Sequence, residues 1–193
     1  MGFIDWLRGK TESQGTPRRP TDLAGAAETA ANLLMALTDR FRPSFFEALV
    51  GDDASALTPE VTARGSAEVL VFALHLSDRI AFTRLGIEKR ARFMDIFLSA
   101  VQRRVGSALA PALPDVYSQR TLFYQSCRLP SGGRNANLKG TLFWEFGKLM
   151  ASPYHYPDPV YPNQNPIAMT QLSLWGMDLM IALTDAFDAA KLF

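Results

Sequence analysis

A chain with one cysteine, Cys127, cannot build an internal disulfide framework, and that thiol reads first as a small buried hydrophobe. Its only histidines are His75 and His155. There is no His-Glu-x-x-His, no Glu-x-x-His pair and no cysteine pair, so the spacings of a zinc site or a di-iron bundle are missing, and the expectation is no metal and no cofactor. No Gly-x-Ser-x-Gly marks a nucleophilic serine, so no catalytic residue is assigned. No apolar run reads as a membrane span, and residues 1–10, broken by Asp5 and Arg8, do not read as a cleavable signal. A cytoplasmic location is the resulting expectation. Strand alternation is absent at any length, and so are internal repeats.

What is present is core material. The chain is 48% hydrophobic and 20% charged, with thirteen Phe, seven Met and three Trp, a globular composition sized for one domain. Residues 67–76 are apolar except for Glu68 and His75. They predict a central, nearly encircled helix. Helix punctuation brackets it. Thr21 or Asp22 caps an Ala-rich helix reaching about Phe41, where Pro43 forces a break before a short helix over 44–50. Thr58-Pro59 starts a helix running to Leu85, bent near Gly65, and Gly86 caps it and joins it to a helix over 88–105 as an antiparallel hairpin. Further helices are expected over 115–127, with Val116, Leu122 and Phe123 facing inward, over 142–150, and from Asn165-Pro166 to about Ala189. The expected fold is all-α: a single-domain bundle of six to eight helices over residues 21–193, preceded by a tethered amphipathic segment and linker over residues 1–20.

The net charge is +1, yet residues 21–78 carry −6 and residues 79–148 carry +8. Either the basic middle folds against the acidic first third, or it forms an anion-binding face. Arg84, Lys89, Arg90, Arg92, Arg103 and Arg104 are the densest basic group. Without a zinc finger or RNA-binding signature they read as a solvated helix face rather than a nucleic-acid site.

Four other places carry potential chemistry. His75, Asp78 and Arg79 share one side of the central helix. They read as a structural polar knot, or as the centre of a pocket for an anionic ligand. Glu145 and Asp178 lie in apolar helices from which they could converge on His75. The loop from Arg128 to Gly140 is rich in glycine, and Arg134 and Lys139 add positive charge to backbone N–H groups ahead of a helix. It is a solvated loop or an anion cradle, but not a Walker loop. Finally, Phe3, Ile4, Trp6 and Leu7 form one apolar side of a short helix, and Tyr154 and Tyr156 sit in a proline-rich loop suited to contacts. The N-terminal patch can dock on its own core, enter a partner's groove or touch a membrane surface through residues 1–10. The first functional expectation is a non-enzymatic interaction domain that binds a protein partner or its own copy. The alternative is a helical enzyme or binding domain for a small anion around His75 and Asp78.

Overall fold

The computed structural model describes residues 22–51, 53–106, 113–130, 137–152 and 165–193. Phe3, Ile4, Trp6, Leu7, Arg134, Tyr154, His155 and Tyr156 lie outside the described residues. Within them the protein is all-helical: α1 (Leu23–Val50), a 3-10 turn (Ala54–Ala56), α2 (Pro59–Arg104), α3 (Leu113–Gln125), α4 (Leu142–Met150) and α5 (Pro166–Ala189). Among the described residues that makes five α-helices rather than six to eight.

The ends follow local chemistry. Asp22 caps α1 by accepting from the Gly25 N–H at 2.7 Å. Thr58 caps α2 ahead of Pro59, and Asn165 caps α5 ahead of Pro166. Three joints differ from the expectation: Pro43, Gly65 and Gly86. Pro43 sits inside a continuous α1 and does not end it. Pro43 removes one backbone donor, the one that would have reached the Asp39 carbonyl, and the helix continues through it. The Phe41 carbonyl next to it accepts from the Ser44 hydroxyl and, at 3.1 Å, from the indole Nε1 of Trp175. Gly65 marks no bend. It is a close contact, because a Cβ there would stand 2.7 Å from the Phe46 ring.

Gly86 does break α2 geometrically, with φ 70° and ψ 179°, into arms over 59–85 and 87–104. The arms are not antiparallel. α5 runs parallel to the first arm, since Gly176 faces Phe72 and Asp188 pairs with Arg84. α1 runs the other way: Phe46 meets Gly65, while Phe41 meets Trp175. Glu28 therefore lies about 27 Å from Phe46, toward the opposite end. An antiparallel return would leave Arg104 beside residue 68. Instead Arg103 and Arg104 both pair with Glu28, and Phe93 meets Phe193 at 5.2 Å. The second arm thus crosses the end of the bundle where α1 begins and α5 finishes.

The core is aromatic. Phe72 stacks on Phe146 at 3.9 Å, Phe146 on Trp175 at 5.7 Å, and Phe45 meets Trp175 edge-on at 5.2 Å. α4 approaches α5 so closely that a Cβ on Gly147 would lie 2.3 Å from the Met169 carbonyl. α5 also corrects the membrane reading. At 24 residues and mean hydropathy 1.3 it is long and apolar enough to cross a membrane. Half of that apolar window is buried within the body.

Candidate functional site

The first arm of α2 is apolar on most sides but carries Glu68, His75, Asp78 and Arg79. The first three are buried, His75 at 1% exposure and Asp78 at 3%. Buried ionic groups need partners, and the fold supplies one for each charge. Arg90, just past the Gly86 joint, grips Asp78 with two N–H bonds, from Nε to Oδ1 at 2.6 Å and from Nη2 to Oδ2 at 2.5 Å. Arg120 of α3 grips Glu68 through both Nε and Nη2. Arg79 turns one amino group onto the carbonyls of Tyr124 at 2.7 Å and Cys127 at 2.9 Å. A cation there satisfies the open carbonyls and negative dipole end of α3.

The helix α3 therefore meets α2 through a stripe that departs from the expected one at Leu122 and Phe123, the side chain of Val116 lying outside those described. Leu122 is 74% exposed and Phe123 43%, so neither faces inward, while Leu113 and Tyr124 are buried and Tyr117 and Arg120 half-buried. Those four positions recur at helical spacing. The stripe is polar because the surface it covers is polar. The aromatic ring of Tyr124 lies 5.2 Å from the His75 ring and 5.4 Å from that of Phe72. Burial and the Glu68 charge push the Tyr124 hydroxyl upward, and burial with the Asp78 charge pushes that of Tyr117 up to about 12.

His75 is the unusual member. Its Nε2 accepts from the Arg79 Nε at 3.3 Å. Because arginine only donates, the proton of the neutral ring belongs on Nδ1, and that buried atom has no partner among the described residues. Burial, reinforced by the positive charges of Arg79 and Arg90, lowers its pKa to about 3. Beside it lies a pocket of about 270 Å³ lined by His75, Asp78, Arg79, Phe82, Arg90 and Gln125. Arg90 also rests over the Phe82 ring, 5.8 Å from its centre.

The other sequence candidates do not join this pocket. Asp178 is exposed on a different face, and Glu145 pairs with Lys148 at 2.9 Å. Among the described residues no three metal-ligating side chains cluster. Lys139 is exposed and points its backbone elsewhere: its N–H donates to Asn137 and its carbonyl accepts from Arg128. The N-terminus of α4 is already capped by the Thr141 hydroxyl. The Cys127 thiol is half-buried, and burial raises its pKa, which disfavours a thiolate.

The charge blocks also meet. Arg90, Arg103, Arg104 and Arg120 of the basic middle pair with Asp78, Glu28 and Glu68 of the acidic first third, and Arg84 pairs with Asp188. Part of the lengthwise asymmetry is thus folded into ion pairs. Sequence reasoning saw Arg90 only as part of a basic run and missed Arg120, Tyr117 and Tyr124 altogether. Their signal was the spacing 113, 117, 120, 124, hidden because it is not apolar. No family model matches this chain, and neither does any curated protein or solved structure.

Proposed function

We propose that this is a cytoplasmic, non-enzymatic helical interaction domain that associates with its own copy or with a protein partner. In this reading residues 1–20 form a tethered amphipathic segment ahead of a bundle that has six rods when the two arms of α2 are counted separately. The observation that carries it is exposed apolar area. Ile87 at 72%, Phe82 at 52%, Leu122 at 74% and Leu174 at 44% are large apolar side chains left exposed. The engagement of Asp78, Glu68, Arg79 and Arg90 in structural bonds argues in the same direction, since each already has a task. Phe3, Ile4, Trp6 and Leu7 are the contact residues of choice, with Tyr154 and Tyr156 as a second contact element. Deleting residues 1–10 is expected to leave the melting temperature unchanged and to lower the mass in solution or release a partner. A deletion variant that fails to fold would instead assign the patch to the core.

A second reading rests on the unpartnered Nδ1 of His75 beside the pocket. A buried N–H without an acceptor costs about 1–3 kcal/mol, and a small anion held by that N–H, Arg79 and Arg90 would recover it. Acetate and phosphate titrated at constant ionic strength would then raise the melting temperature of the wild type but not of His75→Phe. Equal responses of the two proteins would remove this reading.

A further inference from the structure

We infer that the pocket formed by the two arms of α2 and the end of α3 takes a monocarboxylate with an apolar body, such as a small aryl carboxylate. The inference rests on the small-anion reading above and names the class of anion. Three stretches of chain enclose the pocket. His75, Asp78, Arg79 and Phe82 stand at spacings of three and four on one face of the first arm. Arg90 reaches over from the second arm, and Gln125 closes the side from the last residue of α3.

Each arginine keeps one guanidinium nitrogen outside its structural bonds. Arg79 uses Nε on His75 and Nη2 on the carbonyls at the end of α3. Arg90 uses Nε and Nη2 on Asp78. The Nη1 group of each, with its two N–H donors, makes no hydrogen bond among the described residues. Two guanidiniums face one carboxylate in the lining, and His75 is neutral, so the pocket is left with a single positive charge. One negative charge on the ligand balances it, and the planar guanidiniums suit a planar carboxylate. A phosphate dianion would bring a second negative charge toward Asp78, whose two oxygens are already held by Arg90.

Phe82 supplies the apolar half of the site. It stands one helical turn past Asp78 and is 52% exposed, with Arg90 over its ring. The pocket holds about 270 Å³, more than the two oxygens of a head group fill. An apolar body laid against Phe82 takes area out of water that a bare acetate leaves wet.

The test is calorimetric titration of the full-length protein near neutral pH and at constant ionic strength. The probes are benzoate, acetate, benzamide and inorganic phosphate. Benzoate is expected to bind roughly tenfold or more tighter than acetate, and tighter than benzamide or phosphate. Two variants alter exposed lining positions, Phe82→Ala and Gln125→Glu. Phe82→Ala should bring benzoate close to acetate. Gln125→Glu cancels the net positive charge and should weaken both carboxylates roughly tenfold. Both variants should melt close to the wild type. Equal affinities of the wild type for benzoate and acetate would leave a small-anion site standing but overturn the inference. Phosphate binding tighter than benzoate would do the same. Benzamide matching benzoate would show that charge is not what is recognised, and benzoate binding untouched by either variant would place the ligand elsewhere; each overturns the inference. Absence of binding by every probe would remove the small-anion reading and the inference together.

Discussion

On one side of the first arm of α2, Phe72 stacks on Phe146, and Phe146 on Trp175. On another side, Glu68 meets Arg120, His75 meets Tyr124, and Arg79 caps the end of α3. The first contact is dry. It gains from area and close packing, without fixed direction, and it tolerates changes that conserve volume. The second contact is polar and directional. Each group there costs free energy if left alone: the charges are all paired, while the His75 Nδ1 and the Tyr124 hydroxyl stay without a partner among the described residues. The dry seam thus supplies cohesion. The polar seam gives direction: the observed placement of α3 satisfies Glu68 and the carbonyls of Tyr124 and Cys127 together.

Substitutions that damage one seam at a time separate these two characters. Phe146→Ala, at the centre of the dry stack, is expected to cost the most, about 3–5 kcal/mol in chemical denaturation. A loss under 1 kcal/mol would mean that the aromatic stack is not the main source of cohesion. Arg120→Ala should cost about 3 kcal/mol, mainly because Glu68 stays buried without its cation. The sharper result is the double variant Glu68→Leu/Arg120→Leu, which should recover most of that loss. A double-variant cycle showing simple additivity would erase the distinction between the seams.

Mild acidification, above the carboxylate range, reaches the polar seam through His75 and leaves the dry seam untouched. The folded protein holds His75 near a pKa of 3, below the ordinary 6.5 of an unfolded chain. Between those values the unfolded chain binds more protons. The contribution of His75 is therefore fully present above about pH 6.5 and lost progressively as pH falls, with a slope approaching 1.4 kcal/mol per pH unit, about one proton. Measured between pH 6.5 and 5, above the ordinary carboxylate range, the slope should flatten in His75→Phe. An unchanged slope would show that another group carries it. The smallest effect belongs to Leu122→Gln. Despite removing a leucine from a helix, it should change stability by less than about 0.5 kcal/mol, since that side chain is 74% exposed. A core-sized loss would restore the inward stripe that the apolar pattern implied.

How legible each seam was in the sequence follows from the same difference. The buried helix at 67–76, the caps at Asp22, Thr58 and Asn165, and the joint at Gly86 are short-range signals and could be read directly. The dry core was legible in kind, since aromatic residues in helices of this spacing have to be covered. Orientation of α3 was not. Apolar periodicity pointed to Leu122 and Phe123, whereas the helix turned Arg120 inward to meet a buried carboxylate 52 positions away in the chain and Tyr124 to meet a buried histidine 49 positions away. Pro43 misled as well: its missing N–H removes one backbone bond, yet α1 continues through it.

The amino-acid order alone determined that this chain makes helices, where most of them begin, and that its charges are split lengthwise into opposing blocks. Capping, proline and glycine geometry, and apolar composition act over a few residues and need no partner to be read. Only the tertiary structure decided that the arms of α2 cross instead of running side by side, that the opposing charge blocks meet as ion pairs, and that His75 is neutral and sealed beside two arginines. Those outcomes depend on which distant surfaces come together, because the free energy of a buried charge is set by its neighbours in space and not by its neighbours in sequence.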